Sequence, residues 1–111
     1  MTFDIEVEME TGLPSIEEAD NEITAISLHD GITDTYYALI LDKGGKLQET
    51  IKKENRIIKA FRSERELLNA FLIVYEHIQP TIITGWNVDA FDIPYLFNRI
   101  SKVLGKSNAY R

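Results

Sequence analysis

The sequence predicts an α/β domain whose sheet begins as an antiparallel meander and becomes mixed through a later parallel strand. Three observations carry that expectation. Three β-type segments come first and are joined by polar links, the second of them tight. Two segments with helical apolar spacing come later. Between those helices lies a short apolar run that suits a buried strand.

Thr2 to Glu8 alternates, with Phe3, Ile5 and Val7 on one face and Asp4, Glu6 and Glu8 on the other. That period of two is the mark of a strand. Glu10 to Asn21 is polar, contains Gly12 and Pro14, and reads as a loop. Glu22 to Asp30 is nearly continuous in apolar character, which predicts a central strand covered on both faces. Asp30-Gly31 signals a turn. Thr35 to Leu41, rich in aromatic and β-forming residues, predicts a third strand.

Leu47 to Asn55 is polar and ambiguous, and Arg56 to Phe61 suits a short strand. Ser63 and Glu66 have the spacing of a capping box at a helix start. Leu67, Leu68, Phe71, Leu72, Tyr75 and Ile78 then follow on one helical face, and Pro80 ends it. Thr81 to Thr84 reads as the short buried strand, and Gly85 to Ala90 as a loop. Ile93 to Leu104 predicts a second helix, with Pro94 in its first turn and Gly105 past its end. Its apolar stripe reads as Leu96, Phe97, Ile100, Val103 and Leu104.

The 111 residues suit one domain, and a hydrophobic share of 44% argues against disorder. The absence of cysteine excludes disulfides and thiolate metal sites. No apolar stretch is long enough to span a bilayer, and Met1-Thr2-Phe3-Asp4 does not resemble a secretory leader. The expected setting is therefore cytosolic or nuclear, without a membrane partner. A net charge of −6 argues against coating nucleic acid by bulk electrostatics. It leaves room for an enzyme whose clustered acids hold cations, because bound cations reverse the local field.

Asp4 and Glu6, two apart on a strand, point to the same face. Neighbouring carboxylates repel, and a hard divalent cation relieves that repulsion. A solvated strand face would give the same pattern. Asp92 opens the second helix, where it would serve either as an N-cap or as a third ligand. Asn87 suits a turn, and Trp86 and Phe91 suit a core.

Asp4-Ile5-Glu6 and Asn87-Val88-Asp89-Ala90-Phe91-Asp92 together resemble the first two motifs of the 3′→5′ exonuclease domains of family B DNA polymerases, D-x-E and N-x-x-x-F-D. The run GWNVDAFDIPYLFN, residues 85 to 98, looks especially like the replicative polymerases of T-even-type phages. The resemblance covers nearly the whole chain. It implies an RNase H-like fold, here truncated, and proofreading by two-metal hydrolysis of the 3′-terminal phosphodiester. It assigns Asp4, Glu6 and Asp92 as catalytic metal ligands for Mg²⁺ or Mn²⁺, two ions in the complete site. It assigns Asn87 and Phe91 to the 3′-terminal nucleotide of a single-stranded DNA end. The setting it implies is the cytoplasm of a phage-infected or prokaryotic host.

The family's third motif, Y-x-x-x-D, has no match in these 111 residues, since neither Tyr95 nor Tyr110 is followed by such an acid. Residues 1 to 111 are therefore expected to be part of a longer polymerase and to be inactive alone. The remainder of that polymerase is one expected partner, and a second copy meeting an exposed sheet edge is another. Two other readings fit the residues less closely: a non-catalytic exonuclease-like module, and an unrelated nuclease of the same fold.

Overall fold

The computed structural model describes residues 1–10, 12–78 and 91–105. Its strands are β1 (Thr2–Val7), β2 (Ile23–Asp30), β3 (Thr35–Leu41), β4 (Thr50–Lys53) and β5 (Arg56–Phe61). Its helices are α1 (Glu64–Ile78) and α2 (Ile93–Leu104). Among the described residues the sheet order is β1-β2-β3-β5-β4. β1, β2 and β3 form the expected antiparallel meander. β5 returns parallel to β3, and β4 closes the edge as its antiparallel partner. The fold is thus an α/β, RNase H-like mixed sheet. The expected strand Thr81 to Thr84 lies outside the described residues.

The β1 alternation works as expected: Phe3 and Ile5 are buried, while Asp4 and Glu6 are exposed. On β2 the register shifts beside the Glu6/Val7 step, where Glu6 pairs with Ala25 but Val7 with Ile23. Thr24 is the extra residue, and its hydroxyl donates to the Glu6 carbonyl. This bulge lets Ile23, Ile26 and Leu28 all reach the core, which strict alternation would forbid. The opposite face of β2 is not covered as expected, since Ser27 is exposed.

α1 begins after Ser63, whose hydroxyl accepts the Glu66 N–H at 3.2 Å. Leu67, Leu68 and Phe71 seat the helix on Phe3, Ile26, Leu28 and Leu39. α2 ends at Gly105, whose φ of 98° suits a residue without Cβ. Its buried face is Tyr95, Leu96, Arg99 and Ile100 rather than the purely apolar stripe expected, and Phe97 is 36% exposed.

The displacement of Phe97 has a polar cause. Arg99 donates two bonds to Glu64, from Nε at 2.7 Å and from Nη2 at 2.6 Å, and a third to the Ala19 carbonyl at 2.8 Å. Glu64 also accepts the Ile23 N–H at 2.8 Å. Beside them the Tyr95 hydroxyl donates to the Asn21 carbonyl at 2.6 Å and accepts the Asn21 N–H at 3.0 Å. Among the described residues no buried side-chain nitrogen or oxygen is left without a partner. Both helices and the end of the 8–22 loop meet in this network.

Because both members of the Glu64–Arg99 pair are buried, removing one strands the other's charge. Arg99→Met is expected to cost about 3–5 kcal/mol in urea unfolding. Adding Glu64→Gln, which keeps an acceptor for Ile23, should recover a large part of that loss. Equal stability of the single and double variants would contradict this account.

Candidate active site at the β1 edge

Asp4 and Glu6 stand on the sheet face turned away from α1, opposite Ser27 and Ala25 of β2. Between them, the Ile5 side chain enters the core and its N–H points away from β2. Asp92 meets that N–H: its Oδ2 accepts it at 3.1 Å, across 87 residues of sequence. The carboxylate of Asp92 is thereby brought to the segment that carries the other two acids.

Local backbone geometry makes this contact. Phe91 and Asp92 form a π-type turn that runs into α2, a wider turn of a kind frequent at functional sites. Asp92 has helical angles, φ −61° and ψ −49°, and its side chain makes no capping bond to the helix. The N-cap reading is therefore displaced by a tertiary one: the side chain is spent on β1. Phe91 is half-buried, and its ring stacks on Tyr95 with centroids 5.2 Å apart. Asn87 lies outside the described residues.

Asp92 is 3% exposed, and its pKa is pushed up from 3.8 to about 6. Burial is the largest cause. A hydrogen bond with Asp4 and the negative charges of Asp4 and Glu6 push the same way, against the pull of the Ile5 N–H. The three carboxyl groups therefore interact. Among the described residues no group of three acidic, histidine or cysteine side chains is already arranged to hold a metal ion. The donor chemistry nevertheless fits one. An all-oxygen set of carboxylates suits Mg²⁺ or Mn²⁺.

A mixed α/β sheet with carboxylates gathered where its first strand meets a helix start has the form of an RNase H-like exonuclease. The family model of the DNA polymerase family B exonuclease domain matches residues 1–109, and the chain belongs to that family. The DNA-directed DNA polymerase of Escherichia phage RB69 is 37% identical over 98% of the chain. That of Enterobacteria phage T4 is 30% identical over 97% of it. The DNA polymerase catalytic subunit of Saimiriine herpesvirus 2 is 33% identical over 93%. The chain spans 14% of the length of either phage relative and 10% of the herpesvirus one.

The resemblance placed Asp4, Glu6 and Asp92 as one set, and the structure holds Asp92 against the strand that carries Asp4 and Glu6. Sequence reasoning missed Glu64, Tyr95 and Arg99, which set the position of α2. The available signal was an arginine at the i+3 and i−1 positions of an otherwise apolar stripe, flanked by Leu96 and Ile100.

The raised Asp92 pKa makes a signed prediction for the metal-free protein. A carboxyl that binds its proton more tightly when folded costs stability once ionised, so the cost grows between about pH 4 and 6 and then stays. In EDTA, Asp92→Asn is expected to raise Tm by several degrees at neutral pH and by little near pH 4. An equal effect at both pH values, followed by circular dichroism, would refute the charge repulsion.

Proposed function

We propose that this chain is the part of a family B polymerase's 3′→5′ exonuclease domain that contributes Asp4, Glu6 and Asp92 to a proofreading site. The reaction of the whole domain is hydrolysis of the terminal phosphodiester at a single-stranded 3′ end of DNA. One observation carries the reading: the Ile5 N–H to Asp92 bond, which places the second motif's acid against the first motif's strand. Family membership and the two ordered motifs support it.

Each residue has a distinct task. Asp4 and Glu6, exposed on an anchored strand, offer oxygens to divalent cations from a fixed backbone. Asp92 adds a third carboxylate, with one oxygen held by the Ile5 N–H. Glu6 also orients the attacking water by accepting a hydrogen bond from it. Phe91, its other face packed on Tyr95, contacts the terminal base, and Asn87 binds the terminal nucleotide. Mg²⁺ or Mn²⁺ ions bound by the three acids would supply Lewis-acid stabilisation of the scissile phosphate. Frayed, mismatched ends are favoured substrates because they need the least unpairing.

Since these 111 residues hold no Tyr-x-x-x-Asp, the chain alone is expected to bind metal but to cut poorly. In a calorimetric Mn²⁺ titration, Asp4→Asn and Asp92→Asn should each weaken binding by about tenfold or more. Unchanged affinity in both variants would remove the site. With a 3′-labelled single strand and Mn²⁺, the chain should release little mononucleotide. Robust release that vanishes in Asp4→Ala would overturn the inactivity while upholding the site.

A further inference from the structure

Asp92 meets β1 through the Ile5 N–H. A second connection joins the same two segments farther along. Tyr95, three residues after Asp92, is fully buried. Its hydroxyl donates to the Asn21 carbonyl at 2.6 Å and accepts the Asn21 N–H at 3.0 Å. Asn21 is buried too, and its Nδ2 donates to the carbonyls of Glu8 and Gly12, both at 2.8 Å. Glu8 lies two residues past Glu6, and its N–H donates to the Glu22 carbonyl at 2.9 Å, which carries the β1–β2 pairing beyond the bulge.

These bonds close a ring. It runs from Ile5 to Asp92, along the helix entry to Tyr95, across Asn21 to Glu8, and back along β1. Glu6 and Asp92 stand on the ring, and Asp4 is next to it. Core filling does not account for the Tyr95 hydroxyl. A phenylalanine ring would fill the same space and still stack on Phe91, whose centroid is 5.2 Å away. A hydroxyl taken out of water costs free energy unless it is bonded. Here it is bonded twice to the backbone of one residue, which fixes direction as well as distance.

We propose that Tyr95 is a positioning residue of the acid site: through Asn21, its hydroxyl sets the distance between Asp92 and the strand that carries Asp4 and Glu6. It acts through Asp92 and touches neither metal nor substrate. Without the hydroxyl, repulsion among the three acids moves Asp92 and the entry of α2 outward. The Ile5 N–H is then without its acceptor for part of the time. A cation that needs the acids gathered binds only the gathered fraction, so its apparent affinity falls with that fraction. The consequence for metal binding rests on the exonuclease reading, whereas the hold on Asp92 does not.

Tyr95→Phe removes the hydroxyl and keeps the ring. Leu39→Val, a core change beneath α1, serves as a reference for destabilisation alone. Amide hydrogen exchange followed by NMR in EDTA reads the Ile5–Asp92 bond, and calorimetry with Mn²⁺ reads the gathered acids. In Tyr95→Phe the Ile5 N–H is expected to exchange about tenfold faster than in Leu39→Val. Its Mn²⁺ affinity should fall about tenfold, while Leu39→Val stays near wild type. Asn21→Ala releases Glu8 and Gly12 but keeps the backbone bonds to Tyr95. It should shift both readouts the same way, and it decides alone if Tyr95→Phe does not fold. Ile5 exchange in Tyr95→Phe equal to that in Leu39→Val overturns the proposal. So does unchanged Mn²⁺ affinity in Tyr95→Phe where Asp4→Asn has lost it. Should Asp4→Asn itself keep wild-type affinity, the site reading fails, and Ile5 exchange still decides whether Tyr95 holds Asp92.

Discussion

The bidentate contact between Glu64 and Arg99 ties the start of α1 to the middle of α2. Glu64 is the first residue of α1, Arg99 lies in α2, and their remaining bonds reach Ala19 and Ile23. Ala19 has a φ of 48°, an unfavourable backbone angle for a residue with Cβ, and its carbonyl is fixed by Arg99. A buried ion pair is a poor source of net stability, because desolvation consumes much of its Coulomb energy. What it supplies is direction. A guanidinium fork accepts few orientations, so α2 cannot rotate on its apolar contacts. Tyr95, one turn nearer the helix start, repeats the restraint through Asn21.

That restraint matters because Asp92 lies three residues before Tyr95 on the same short helix entry. Left to electrostatics, Asp92 would move away from Asp4 and Glu6. The structure instead keeps it buried, against two negative charges, with the Ile5 N–H donating to it. The unfavourable arrangement persists because the neighbouring network over-determines it. Perturbed carboxyls in such clusters are characteristic of sites whose task needs concentrated negative charge. The hydrophobic alternation of β1 serves the same end from the other side: burying Phe3 and Ile5 forces Asp4 and Glu6 outward.

Much of this was legible in the sequence. β1, β2, β3 and β5, α1 and α2 fall within a residue or two of their expected bounds, because each has a clear period or cap. β4 was not legible, since Thr50–Lys53 is exposed throughout and carries no alternation to read. The parallel pairing of β5 with β3 is set by that hairpin and escaped notice for the same reason. The buried phase of β2 could not be read either, because a bulge changes it and bulges leave no fixed signature. Asp92 was the hardest case. An N-cap and a ligand place an acid at the same position before a helix, and the structure shows a tertiary contact to Ile5 in place of a capping bond.

The two faces of the sheet divide the labour. The face under α1 is closed by Phe3, Ile26, Leu28, Leu39, Leu67 and Leu68, and supplies the hydrophobic stabilisation. The other face is freed from that task, which is why Asp4, Ser27, Tyr36 and Arg56 can be polar, small or exposed there. Such division follows from the antiparallel meander, whose alternation presents one face to a core and leaves the other to solvent or ligand. A strand buried on both faces could not have carried a D-x-E pair without leaving two charges in the core. The openness of this face is therefore a condition for the acids being where they are.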